Sequence, residues 1–141
     1  MSNAGGMGTD VYEVKSWLTI KMPVKDKITQ LSCSYDFSFA ITDKGQLFCA
    51  GSNMLSKVNI VNMNKFEKID LGQTVKAEKV CCGYSVMALL LVKNNGSSEL
   101  WSAGYNSKGA LGSGENVQTK SVFSRLAYDA TQIKFVDMDV Y

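Results

Sequence analysis

The sequence predicts an all-β chain of short antiparallel strands, and three observations carry that prediction. Apolar and polar residues alternate with a period of two, glycine-bearing turns separate the strand-like runs, and two stretches repeat each other about 50 residues apart. No stretch makes a convincing amphipathic helix.

Taken in chain order, Met1 to Gly8 (MSNAGGMG) read as a disordered tag remnant and stand outside the fold. From Tyr12 to Met22, Tyr12, Val14, Leu18, Ile20 and Met22 share one parity while Glu13, Lys15, Thr19 and Lys21 fall on the other, which predicts a half-buried strand. Phe37 to Thr42 and Gln46 to Ala50 are β-rich runs around Asp43-Lys44-Gly45, a hairpin turn in which glycine takes a positive φ. A second hairpin follows, with Asn94-Asn95-Gly96 as its turn. Asn95-Gly96-Ser97 also matches a glycosylation acceptor, but turn chemistry accounts for it without a secretory route. Met87 to Val92 is apolar on both parities, as expected of a strand covered on both faces.

The two hairpins are copies. LSCSYDFSFAI from Leu31 aligns without a gap on VCCGYSVMALL from Val80, pairing Cys33 with Cys82, Ser34 with Gly83 and Tyr35 with Tyr84 at a constant offset of 49. Beyond the turns, LFCAGSN matches LWSAGYN, pairing Phe48 with Trp101, Gly51 with Gly104 and Asn53 with Asn106. A third copy opens at Phe135, where Phe135-x-x-Met138 echoes Ile28-x-x-Leu31.

A period near 50 built of short strands and glycine turns is the signature of a propeller blade. The second copy carries Cys82-Gly83, Trp101, Gly104, Asn106, Gly109, Leu111, Gly112 and Gly114, and in these residues it resembles the regulator of chromosome condensation (RCC1) repeat, with its Cys-Gly and its W-G-x-N-x-x-G-Q-L-G. The first copy is degenerate, with Ser34 for the first glycine and MLSKVN in place of the later ones. The resemblance implies antiparallel four-stranded blades belonging to a seven-bladed propeller. Residues 9–27 would then close a preceding blade, 28–76 and 77–134 would form two repeats, and 135–141 would begin a third. Because a closed propeller needs at least four blades, roughly 200 residues at this period, the 141 residues are expected to be an excised or naturally split piece. Such a piece would self-associate or bind the rest of its propeller.

The glycine-rich stretch from Gly104 to Gly114 is punctuation, not a phosphate cradle. Gly104 and Gly109 have P-loop spacing, but Ala110 and Leu111 stand where a lysine and a hydroxyl would contact phosphate and magnesium. These glycines suit the tight passage from the third strand of a blade to its fourth.

Composition narrows the function. With 45% hydrophobic residues and one proline the chain can bury a core. Its net charge of +2 comes from lysines and a single arginine, Arg125, and that scarcity argues against nucleic-acid readout. Histidine is absent, which removes the commonest general base and the usual zinc ligand sets. Cys33, Cys49, Cys81 and Cys82 contain no C-x-x-C and read as small buried apolar residues in a reducing compartment. No apolar run reaches membrane-spanning length.

No catalytic residue, metal site or cofactor is expected. The resemblance implies one of two functions: a non-catalytic protein-interaction scaffold, or part of a guanine-nucleotide exchange factor for a Ran-type small GTPase. Where repeats of the family often carry a histidine, this chain has Phe37 and Val86. Phe48 and Trp101 are expected in packing. Tyr35-Asp36 and Tyr84-Ser85, in the loops between the first and second strands of each copy, are the candidate partner contacts. The structural repeat positions are Cys33, Gly51, Cys82, Gly83, Trp101, Gly104, Gly109 and Gly112. An intracellular site, in cytoplasm or nucleus, is expected.

Overall fold

The computed structural model describes residues 16–35, 37–51, 64–84, 86–115 and 117–127. It holds two four-stranded antiparallel sheets. The first runs in the order β1 (Ile28–Cys33), β2 (Phe37–Thr42), β3 (Leu47–Gly51) and β4 (Glu67–Ile69). The second repeats that order with β5 (Val75–Cys82), β6 (Val86–Lys93), β7 (Ser98–Tyr105) and β8 (Thr119–Arg125). The one helical element among the described residues is a 3-10 turn over Ser107–Gly109.

Each hairpin closes on the residues the sequence marks for it. In the first, the Gly45 N–H donates to the Thr42 carbonyl at 2.9 Å, and Gly45 takes φ +72°. In the second, the Gly96 N–H donates to the Lys93 carbonyl at 2.9 Å, and the Asn95 side-chain oxygen accepts from the Ser97 N–H at 3.0 Å. Positive φ excludes most side chains, so glycine fixes where each strand reverses.

The internal repeat is also structural. β1 and β5 each carry a bulge at the same place, at Thr29 and at Glu78, so that Ile28 and Gln30 match Ala77 and Lys79. Phe37 pairs with Gly51 in one sheet as Val86 pairs with Gly104 in the other.

The core lies between the sheets. Phe37, Phe39 and Ile41 of β2 share one buried cluster with Met87, Leu89 and Leu91 of β6, and Ala77 and Val80 of β5 belong to it too. Phe39 and Phe123 meet edge to face, with centroids 6.0 Å apart. Polar links also join the sheets. The Gln30 side chain donates to the Val80 carbonyl and accepts from the Val80 N–H, both at 3.0 Å, and the Ala77 N–H donates to the Gly45 carbonyl at 2.9 Å.

On its other face the first sheet buries Ala40, Phe48, Ala50 and Phe66, with Ile20, Met22 and Val24 packed against them. Here the sequence reading needs correction. Residues 16–22, expected to lie in a strand, pair with no ladder among the described residues; Ile20 and Met22 pack on this face, whereas Leu18 of the same parity is exposed. Tyr12 to Lys15, the tag remnant and the third-copy segment 135–141 lie outside the described residues.

Candidate interaction surface

The two expected contact loops are one turn built twice. The Ser34 N–H donates to the Phe37 carbonyl at 2.8 Å, and the Gly83 N–H donates to the Val86 carbonyl at 2.8 Å. Tyr35 and Tyr84 stand at the tips, 66% and 73% exposed. Because β1 and β5 are neighbours across the core, the rings come together, with centroids 5.3 Å apart and planes inclined by 43°. Exposure of such an aromatic pair on hydrogen-bonded turns makes a rigid surface that loses little conformational freedom on contact. Asp36 and Ser85 lie outside the described residues.

The same rim carries Tyr105, 45% exposed at the end of β7. It follows Gly104, the partner of Val86, so it emerges on the side where the Tyr84 turn emerges. Sequence reasoning passed over Tyr105, although it follows Ala103-Gly104 directly and lies just ahead of the glycine-rich loop.

That loop, between β7 and β8, is organised by Asn106. Its side-chain oxygen accepts from the Leu111 N–H at 3.0 Å, and its amide donates to the carbonyls of Glu115 and Val117 at 3.2 and 2.9 Å. Gly109, Gly112 and Gly114 take φ of 72°, 64° and 67°. Asn106, Lys108, Ser113 and Glu115 line a shallow depression of about 440 Å³ beside it.

The aromatic residues of the repeat fall in packing, while its glycines shape strand ends and turns. Gly51 ends β3 and Gly104 is the last residue but one of β7, with φ of 120° and 116°. Phe48 is fully buried, and half-buried Trp101 packs against the shared core. The Trp101 indole N–H donates to Glu99 at 3.0 Å. Phe37 is buried.

All four cysteines are free thiols, but their burial is uneven. Burial pushes the Cys49 thiol up to about 12 and the Cys82 thiol up to about 11, so neither is a ready nucleophile. Cys33 corrects the expectation of four buried cysteines, since it is exposed on the outer parity of β1.

Glu99 is the most constrained charged group among the described residues. Only 6% exposed, it receives Lys93 at 2.6 Å and Arg125 at 3.3 Å besides the indole. The Lys93 hydrogen bond, against the opposing effect of burial, holds its carboxyl below the usual range. The single arginine thus joins β8 to β7.

Matching bulges, matching turns and a shared core between two four-stranded antiparallel sheets define a class, the β-propeller built of repeated blades. Comparison with known proteins agrees. The profile of the regulator of chromosome condensation (RCC1) repeat matches residues 28–53. The fold is similar to that of yeast RCC1 (Prp20) bound to Kap60, with TM-score 0.74 and 18% identity, covering 94% of this chain and 33% of that one. It is also similar to Prp20p from Saccharomyces cerevisiae, in a structure described with its binding properties to Gsp1p and histones (TM-score 0.68, 18% identity, 94% and 34% covered). Human WBSCR16 is similar at TM-score 0.68 and 20% identity, with 89% and 33% covered. No curated protein sequence matches the chain. The chain is a partial RCC1-like propeller, and it spans about a third of the length of these structures.

Proposed function

We propose that the chain is part of a non-catalytic protein-interaction scaffold whose tyrosine-tipped turns meet a protein partner. In this reading residues 28–76 and 77–134 are its two repeats. The observation that carries the reading is the exposed Tyr35–Tyr84 pair, held 5.3 Å apart by matched turns on two sheets that share a core. Tyrosine is favoured at interfaces because it supplies contact area with little rotamer entropy to lose. The free thiols fit a reducing compartment, cytoplasm or nucleus. To test the scaffold reading, a photo-crosslinking phenylalanine analogue replaces Tyr35 in cells that make the protein. A discrete protein adduct competed by the unmodified chain supports it, and no adduct overturns it.

The second reading is part of an exchange factor for a Ran-type small GTPase. It is favoured by the likeness to Prp20p, whose structure is described with its binding to Gsp1p. At 18% identity that likeness concerns the fold, and fold alone does not carry activity. Exchange requires a wide preorganised face that separates GTPase from nucleotide, and two blades present a small one. The expected outcome is that this chain does not accelerate release of a fluorescent guanine nucleotide from a Ran-type GTPase. A release rate rising with added protein would reverse the order of the two readings.

A further inference from the structure

We infer that Asn95 is a site of self-catalysed deamidation, in which the Gly96 nitrogen displaces the side-chain amide and Ser97 stabilises the charge that develops. The inference concerns the turn of the second hairpin and is independent of the scaffold reading.

Asn95 is the one asparagine of the sequence followed by glycine, which carries no side chain to crowd an attacking nitrogen. Both residues are exposed, and the space where a Cβ of Gly96 would stand is empty to 4 Å, so solvent base reaches its N–H. The Asn95 side chain is folded forward over that peptide unit. Its Oδ1 accepts from the Ser97 N–H at 3.0 Å and from the Ser97 hydroxyl at 2.7 Å. A backbone N–H can only donate, which fixes the acceptor as the oxygen and not the amide nitrogen. Two donors at these distances are the arrangement that holds an oxyanion.

The chemistry follows from this placement. The Gly96 nitrogen gives its proton to hydroxide or water and attacks Cγ. As the new C–N bond forms, the carbonyl electron pair moves onto Oδ1, where both Ser97 donors meet the negative charge. Collapse of the tetrahedral intermediate breaks the Cγ–Nδ2 bond. The departing nitrogen takes a proton from water and leaves as ammonia, and a cyclic succinimide remains. Water then opens the ring, giving aspartate by addition at Cγ or isoaspartate by addition at the Asn95 backbone carbonyl carbon. In sum, one water is consumed and one ammonia released.

One contact opposes the reaction. The Gly96 N–H donates to the Lys93 carbonyl at 2.9 Å, and that bond must open before the nitrogen attacks. In an exposed turn it opens by local fluctuation, which makes the conversion slow. Its product places a negative charge in the turn, and isoaspartate adds a backbone atom to the segment that sets the register of β6 on β7. Asn106 offers the contrast. It is 7% exposed, its side chain is engaged by Leu111, Glu115 and Val117, and Ser107 follows it, so it should stay intact.

The test incubates the folded full chain at mildly alkaline pH and follows each asparagine by peptide mapping and mass spectrometry, with isoaspartate read by enzymatic methyl transfer. Asn95 is expected to convert ahead of every other asparagine, and faster as pH rises. Ser97→Ala keeps the backbone donor and removes the hydroxyl, and it should slow conversion at least about threefold, whereas Ser97→Thr retains the parent rate. A turn merely loosened by the substitution would convert faster, so the sign separates the two effects. In denaturant the parent and Ser97→Ala should convert equally, because the fold places the hydroxyl. The ranking of asparagines in the unaltered chain needs no variant to fold. An Asn95 that outlasts other asparagines, a folded Ser97→Ala that converts as fast as the parent or faster, or a difference that persists in denaturant overturns the inference.

Discussion

Single residues decide where this chain bends and which charges it hides. Gly51 and Gly104 sit at φ of 120° and 116°, a region in which a β-branched side chain is strained. Gly104→Val and Gly51→Val should each lose about 1 to 3 kcal/mol of stability. Thermal melts of both variants matching the parent would contradict this. These positions were legible in the sequence because Ala-Gly recurs in the same frame of the repeat. Glu99 was not, because its burial depends on Lys93 and Arg125 arriving from neighbouring strands. Its depressed folded pKa means that its stabilising contribution is complete above the ordinary value of 4.5 and is lost as pH falls through the lower folded value. Acid should therefore destabilise the parent more steeply than Glu99→Gln. Melting temperatures measured across that acid range, falling equally in both proteins, would show that Glu99 carries no such linkage.

Elements were read well where turns mark their ends and less well where alternation stood alone. The hairpins closed at Gly45 and Gly96 because glycine at positive φ is a local requirement that sequence records directly. Residues 16–22 misled because apolar alternation does not require a ladder: Ile20 and Met22 pack on the first sheet without one among the described residues, and Leu18 of the same parity stays exposed. The bulges at Thr29 and Glu78 were invisible because an extra residue shows itself only against a partner strand. One bulge has an energetic outcome. It is followed by Gln30, whose amide grips both backbone groups of Val80. Gln30→Ala leaves those buried groups without their partner and should cost about 1 to 3 kcal/mol. Denaturant unfolding with an unchanged midpoint would rule out a structural part for that amide.

At the scale of the whole molecule, equivalent residues have unequal surroundings. Val80 of β5 is fully buried against the first sheet, whereas its counterpart Leu31 of β1 is 65% exposed. The Tyr35–Tyr84 proximity belongs to this scale too: the sequence placed each tyrosine in its loop, but their meeting required the docking of the two sheets. Exposed apolar surface at a position that is buried in the neighbouring repeat invites a partner. We expect the chain to self-associate at micromolar concentration and Leu31→Lys to weaken that association. Light scattering coupled to size exclusion, giving a monodisperse monomer of 15.4 kDa for the unaltered chain, would refute the expectation.

The clasp between Gln30 and Val80 also bears on how the chain acquires its structure. Its partners are 50 residues apart, whereas each hairpin joins neighbours across a few. Closing a short loop is fast and costs little entropy, and closing a long one waits until its ends already carry complementary surfaces. The hairpins can thus form independently and early, leaving the joint between the sheets to form last. A newly made repeat would hold its strands before it holds its neighbour, and successive repeats would lock in the order in which they are synthesised.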